Sequence, residues 1–320
     1  MSSSGNISRE NKTIFIVGTT ATGKTDIAHQ LALRIGNAEI ISADSMQVYR
    51  NMPVLTAMPE ENKRTEVIYH LIDYVDITQQ YSVADYYRDA VDCIKNIHAQ
   101  QKIPIVVGGT GMYVRSLLYG IFESPPADTA FRSEMQEIVE KKGCEALFHI
   151  LLQQDPVAAQ SIEPRNVRRV IRALEVFRHT GKRLSELQLQ WHQELNCYHH
   201  QFGRLVLWGI SRPRPLLYQR INFRVDTMLK EGLLEEVNFL LSNGIEHNST
   251  AYQALGIREM RDYFSGTLTL DGAVELLKRN TRRFAKRQLT WFAREKDFSW
   301  YVVTKDSAIP KIIDNMLTLI

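Results

Sequence analysis

The chain has 320 residues, more than one average domain requires, with 44% hydrophobic and 23% charged residues and a formal net charge of +3. This composition is ordinary for a soluble globular protein, and so small a charge does not demand a polyanionic partner, so any nucleic-acid contact must rest on local clustering. Cys93, Cys144 and Cys197 are isolated and lack C-x-x-C spacing, which excludes a disulfide framework or a zinc site and fits a reduced cytoplasmic compartment.

Residues 1–12 read as a polar, frayed tail without the apolar segment of a signal peptide. No run of about 18 apolar residues follows anywhere, so no membrane span is expected. Thr13 to Val17 then predict a buried strand that enters Gly18-Thr19-Thr20-Ala21-Thr22-Gly23-Lys24-Thr25, a G-x-x-x-x-G-K-[ST] phosphate loop, and Ile27, Leu31 and Ile35 predict the helix that leaves it. Strand, glycine turn and helix together are the setting in which backbone N–H groups point at phosphate oxygens. Lys24 adds a point charge there, and Thr25 can hold Mg²⁺ at the positive end of the helix. The loop alone leaves open whether the phosphates belong to ATP.

A second strand, Ala38 to Ser42, delivers Asp44 to the carboxyl edge of the sheet, where open α/β folds bind ligands. Asp44 there can serve as a general base, or it and Ser45 can cap a turn. Residues 51–69 read as loop, His70 to Asp73 as a short strand, and Ser82 as the cap of a helix reaching about Gln100. The strand Ile103 to Val107 ends in Gly108-Gly109-Thr110-Gly111, where a nucleotide hydrolase would place a magnesium-binding aspartate. That absence argues against an ATPase or a small-molecule kinase.

Ser124 to Thr129 read as a linker, and residues 124–186 as a small all-helical insertion. The core is expected from 13–123 and 187–320, with a strand at Leu205 to Ile210 and helices at Pro215 to Glu231, Leu233 to Ser242, Gln253 to Tyr263 and Leu270 to Phe292. A last strand, Trp300 to Val303, precedes a C-terminal helix. The fold class is therefore α/β, a P-loop NTPase-like parallel sheet flanked by helices and carrying an inserted helical domain.

Two helices are strongly basic. Lys278, Arg279, Arg282, Arg283, Lys286 and Arg287 fall in i, i+4 rows, with Leu277, Phe284, Leu289 and Phe292 left for the core. Arg165, Arg168, Arg169, Arg172 and Arg178 form the second, inside the insertion. Like charges at this spacing repel, and a polyanion across the face would relieve them; a solvated face is the other use. Arg220 and Arg224 share one helical face below Arg212 and Arg214, as a diphosphate clamp or as surface ion pairs. Trp191, Trp208, Trp291 and Trp300 read as core fillers, and His199-His200 as exposed.

Assembled, these segments resemble the tRNA dimethylallyltransferases, nearly end to end. The resemblance rests on the phosphate loop and on Asp44 to Tyr49, His70 to Asp73, Gly108 to Tyr113, Arg168 to Val176, Ala251 to Gly256 and Asn280 to Phe292. It implies transfer of a dimethylallyl group from dimethylallyl diphosphate to N6 of adenosine 37, 3′ of the anticodon, in tRNAs reading codons that begin with U. It also implies a cytoplasmic monomer that uses Mg²⁺ and meets a tRNA anticodon stem-loop. By resemblance, Asp44 and Thr20 are catalytic, and Gly18 to Thr25 with Arg224 hold the diphosphate rather than ATP. Asp44, Ser45, Met46, Gln47 and Thr110 would meet the flipped adenine. Arg132, then Arg168, Arg169, Val170, Ile171 and Arg172, then Gln253, Ala254, Leu255, Gly256, Ile257 and Arg258 would contact tRNA, joined by Arg282, Arg283, Lys286 and Arg287 from the basic helix. This chain has Thr19 where the family usually has proline, and Leu55-Thr56-Ala57-Met58-Pro59 where it has Gly-Thr-Ala-Lys-Pro. An adenylate (cytokinin-type) isopentenyltransferase would have no use for two basic helices, and a divergent P-loop RNA-binding paralogue is the other alternative.

Overall fold

The computed structural model describes residues 11–121, 128–188 and 202–320. The polar tail before Asn11, most of the Ser124 linker, and Trp191, Cys197, His199 and His200 lie outside the described residues. The chain forms two compact units, one from residues 1–118 and 199–320, the other from 119–198.

The larger unit is built on six parallel strands in the order β3-β2-β4-β1-β5-β6. These are β1 (Lys12–Gly18), β2 (Ala38–Ser42), β3 (Tyr69–His70), β4 (Ile103–Gly108), β5 (Arg204–Ser211) and β6 (Ser299–Val302). The buried strands are runs of Ile, Val and Phe, as a sheet covered on both faces requires. Between β1 and β2 runs α1 (Lys24–Ile35), whose Ile27 and Leu31 pack with Ile14, Ile16, Ile40 and Ile105 into one core cluster. The order reverses across β1, which has β4 on one side and β5 on the other, and a ligand crevice is expected at the carboxyl ends there.

Two expectations are corrected in this stretch. Residues 51–69 hold two short helices, α2 (Pro53–Thr56) and α3 (Glu61–Glu66), before the brief β3. Pro53 opens α2 at a position where its missing N–H costs nothing. The β3 strand stops at His70 because Leu71 and Asp73 take positive φ. Next come α4 (Val83–Ala99), capped by Ser82 as expected, and α5 (Gly111–Tyr119). The smaller unit contains α6 (Thr129–Lys142), α7 (Cys144–Gln154), α8 (Pro156–Ala159) and α9 (Val167–Thr180), around a core of Phe131, Met135, Leu147, Leu151, Val170 and Leu174.

After β5 the larger unit adds α10 (Arg214–Lys230), α11 (Leu233–Ser242), α12 (Ile257–Phe264), α13 (Leu270–Phe292) and, past β6, α14 (Ile309–Thr318). The single helix expected from Gln253 to Tyr263 is instead a 3₁₀ turn, Ala251–Gln253, then a break at Gly256, then α12. Gly256 has φ 110°, which a side chain would resist. Among the described residues no helix is long and apolar enough to cross a membrane.

Candidate active site

The phosphate loop closes on itself through its side chains. Thr22 Oγ1 donates to Thr19 O at 2.9 Å, and the Lys24 ammonium reaches the same carbonyl at 3.3 Å. Two arginines take the loop's outer carbonyls: Arg212 Nε donates to Thr22 O at 2.8 Å and Arg220 Nε to Ala21 O at 3.1 Å. With carbonyls held outward, the N–H groups at the start of α1 are left for an anion, and no side chain caps that terminus. Both arginines also pair with Asp306, so Arg212 and Arg220 brace the loop rather than clamp a ligand.

Arg224 alone of these turns inward, its Nη1 donating to Thr20 Oγ1 at 2.9 Å and its Nη2 to Thr56 O at 3.1 Å. Burial lowers the Arg224 pKa and Asp44 opposes that shift. Burial likewise pulls the Lys24 ammonium down to about 8, with Asp44 raising it and Arg224 lowering it further. Asp44 thus sits within electrostatic reach of both cations. Its Oδ1 accepts the Met46 N–H at 3.0 Å, so the turn-capping role is real and leaves the other oxygen available. Thr110 Oγ1 accepts the Ser45 N–H at 2.9 Å. Gln47 is pinned between Ser42 Oγ, which donates to its Oε1 at 2.9 Å, and Thr56 O, which accepts from its Nε2 at 3.3 Å.

Asp44 and its neighbours, but not Gln47, line a cavity of about 300 Å³ whose lining residues are of two chemical kinds. Thr20, Lys24, Asp44, Ser45, Thr110 and Arg224 supply polar groups, whereas Leu55, Ile221, Val225, Met228, Leu277 and Phe284 supply an apolar wall. Every lining residue belongs to the larger unit. Two contributors escaped the sequence reading. Gln288, 8% exposed, accepts the Thr20 N–H at 2.9 Å and donates to Gly109 O at 2.9 Å, tying α13 to both the phosphate loop and the end of β4. A lone polar residue on the apolar face of α13 was the available signal. Glu236 on α11 accepts the N–H groups of Val54 and Leu55 at 2.8 and 2.7 Å, which fixes α2 against the pocket.

The Gly108-Gly109-Thr110-Gly111 run now has a packing explanation. A Cβ at Gly108 would lie 2.1 Å from Ala43 O, at Gly109 2.5 Å from the Gln288 amide, and at Gly111 2.3 Å from the Trp291 ring. Glycine here lets the strand end, the Asp44 turn and α13 approach one another. Leu55 is buried in the pocket wall and Met58 is half-buried.

For metal binding, Thr25 stands in the first turn of α1 and makes no side-chain hydrogen bond among the described residues. No cluster of three His, Cys, Asp or Glu occurs among them. Such a donor set fits Mg²⁺ brought in on phosphate oxygens and water, not a protein cage.

The expected RNA contacts separate by environment. Arg132 makes a bidentate pair with Glu175, at 2.8 and 2.9 Å, and Arg172 joins the same carboxylate. Val170 and Ile171 are buried in the core of the smaller unit, while Arg168 and Arg169 are exposed. Of Gln253 to Arg258, Ala254, Gly256 and Ile257 are buried, Gln253 and Arg258 are exposed, and Leu255 joins Gln253 and Ala254 in the cavity wall. Arg258 lies over the Tyr252 ring at 5.3 Å. On α13, Lys278 pairs with Asp226 at 2.8 Å and Arg282 donates to Asn222 at 2.6 Å, which leaves Arg279, Arg283, Lys286 and Arg287 as the exposed cations of that row. Arg287 also reaches the pocket rim, stacked on Phe284. Trp208 is buried as expected, but Trp300 is 38% exposed.

A family model described as IPP transferase matches residues 47–295. The chain is 46% identical over 308 residues to the tRNA dimethylallyltransferase of Carboxydothermus hydrogenoformans, covering 96% of each. It is 41% identical to that of Natranaerobius thermophilus over 98% of this chain and 94% of the relative. Among solved structures, the tRNA isopentenylpyrophosphate transferase of Bacillus halodurans matches with a TM-score of 0.69 at 40% identity, over 97% of this chain and 96% of that one. A eukaryotic dimethylallyltransferase acting on tRNA matches with a TM-score of 0.77 at 27% identity, over 97% of this chain and 80% of that one.

Proposed function

The chain belongs to the IPP transferase family, among the tRNA dimethylallyltransferases, and on that premise we propose that it transfers the dimethylallyl group of dimethylallyl diphosphate to N6 of adenosine 37, 3′ of the anticodon, in tRNAs reading codons that begin with U. The observation that carries this is the divided pocket. A diphosphate head fits Lys24, Arg224 and the start of α1, and a short branched hydrocarbon fits the wall of Leu55, Ile221, Val225, Met228, Leu277 and Phe284.

In the proposed reaction the C–N bond forms as the allylic C–O bond breaks. The exocyclic amine is a weak nucleophile because its lone pair is delocalised into the ring, so the Asp44 carboxylate takes its proton as the bond forms. The electron pair of the C–O bond leaves on the diphosphate, whose growing charge meets Lys24, Arg224 and the α1 N–H groups. Thr20, held by Arg224 and Gln288, is placed to donate to the departing oxygen. Mg²⁺ held against Thr25 would supply further neutralisation of the diphosphate. Ser45, Met46, Gln47 and Thr110 are the proposed partners of a flipped adenine, since a base in its stack cannot reach Asp44. Arg168, Arg169, Arg258, Arg283, Lys286 and Arg287 supply the cations for tRNA phosphates. One unit supplies every lining residue of the pocket, which supports reading the protein as a monomer, and the reaction is proposed to run on cytoplasmic tRNA.

Incubation with radiolabelled dimethylallyl diphosphate and either tRNA or AMP tests this reading. Label should enter tRNA, and nuclease digestion should yield N6-(dimethylallyl)adenosine from position 37. Label on AMP alone would replace the proposal with the adenylate enzyme.

A further inference from the structure

We propose that Glu236 is a positioning residue for the donor, acting through the backbone of α2 to set the place of the Arg224 guanidinium; this rests on the pocket being a prenyl diphosphate site. Glu236 does not line the cavity. Its carboxylate accepts the Leu55 N–H at 2.7 Å and the Val54 N–H at 2.8 Å, the donors that a helix opening on Pro53 leaves without partners in its first turn. At the other end of the same turn Thr56 O accepts Arg224 Nη2 at 3.1 Å and Gln47 Nε2 at 3.3 Å. The turn is thus held between an anion from α11 and a cation from α10, each at the end that the aligned peptide dipoles favour.

A helix of four residues has almost no stability of its own, so the position of Thr56 O depends on what grips the turn from outside. Glu236 makes no ion pair among the described residues, and burial raises its pKa despite the bonds from the Leu55 and Val54 N–H groups. A half-buried carboxylate without a cation beside it is a costly way to hold a surface turn, and its use here is explained by what the turn carries. Arg224 is oriented by two bonds, to Thr20 Oγ1 at 2.9 Å and to Thr56 O, and without the second the guanidinium is free to turn about the first. Because Glu236 and Arg224 both bond to main-chain atoms of α2, the coupling does not depend on which side chains α2 presents to the pocket.

The test is a double-mutant cycle. Binding of dimethylallyl diphosphate and of inorganic pyrophosphate is measured by calorimetry on wild type, Glu236→Gln, Arg224→Ala and the double variant, and transfer to tRNA is measured separately. Glu236→Gln keeps the side chain's length but turns an amide N–H₂ toward one of the two backbone donors, so both ligands should bind roughly 10-fold more weakly. In the Arg224→Ala background the same change should cost less than about 2-fold, because the group through which Glu236 acts is gone. Equal losses in the two backgrounds, or unchanged affinity in a folded Glu236→Gln, would make Glu236 a scaffold residue and overturn the proposal. Thermal melts establish folding, and Glu236→Asp, which keeps the charge but shortens the reach, runs the same cycle and decides the matter if Glu236→Gln does not fold. A wild type that binds neither ligand overturns the diphosphate reading of the pocket and this proposal with it. A cycle that couples as expected in a protein that transfers nothing to tRNA would overturn the proposed reaction and uphold the role of Glu236.

Discussion

Asp44 and Lys24 share a pocket but answer to different measurements. Asp44→Asn preserves size and the bond to Met46 but cannot take the amine proton, so kcat should fall roughly 10²- to 10⁴-fold with donor affinity little changed. Single-turnover transfer and calorimetry check this; turnover within a few-fold of wild type would make Asp44 a turn cap only. Lys24 carries a stability cost as well as a function. Burial holds its ammonium at about 8, below the ordinary 10.5, despite the attraction of Asp44. Between those two values the unfolded chain binds more protons, so stability should rise with pH across that window, and below about pH 8 the charged form costs on the order of 3 kcal/mol. Lys24→Met is therefore expected to melt higher than wild type at pH 7 while losing donor affinity. Wild-type affinity for dimethylallyl diphosphate should itself weaken as pH rises above about 8, as the lysine becomes neutral. A lower melting temperature for Lys24→Met would show that the attraction of Asp44 outweighs burial.

At the level of elements, α13 divides its labour by face. Its Gln288 side joins the phosphate loop to β4, and Arg283 and Lys286 point to solvent. Replacing Arg283 and Lys286 by Gln should weaken tRNA binding and flatten its salt dependence by about one to two units of slope, with donor affinity unchanged. An unaltered slope in filter-binding titrations would make this a solvated face. The sequence announced α13 well, because the Thr269 cap and the 3.6-residue apolar period are local signals. By spacing Arg224 was legible only as one member of a group, and the family resemblance alone singled it out. Arg212 and Arg220 have equal claims by spacing, and their diversion to the loop carbonyls depends on Asp306, more than eighty residues away in the chain. Gln288 was harder still, since its partners are backbone atoms 268 and 179 residues distant. The α2 turn escaped for the same reason, because four residues gain little from local propensity and this turn is held by Glu236.

At the scale of the whole molecule, the parallel sheet was readable because each strand is a short apolar run next to a turn signal, whereas its order is a long-range property that no local pattern carries. The smaller unit shows how far charge counting goes. Its arginines are alike in sequence, but Arg132 and Arg172 surround Glu175, which is 0% exposed. Burial by itself would raise the Glu175 pKa, yet the bonds from both arginines and from the Asp128 N–H outweigh it and hold it at about 2. A depressed carboxylate contributes stability that is complete above its unfolded value of about 4.5 and is lost as pH falls toward 2. Glu175→Gln would leave two guanidinium groups without their counter-charge. Because both arginines are partly exposed, the loss should be about 1–3 kcal/mol, less than for a fully buried pair. The unit has its own hydrophobic core, so this loss should be confined to it. Hydrogen exchange should quicken across α6 to α9 and tRNA modification should fall, while dimethylallyl diphosphate binds as tightly as before, since the pocket draws no residue from this unit. If donor affinity fell in step with tRNA modification, the two units would be energetically one, and the separation of donor site from the proposed RNA-binding insertion would have to be abandoned.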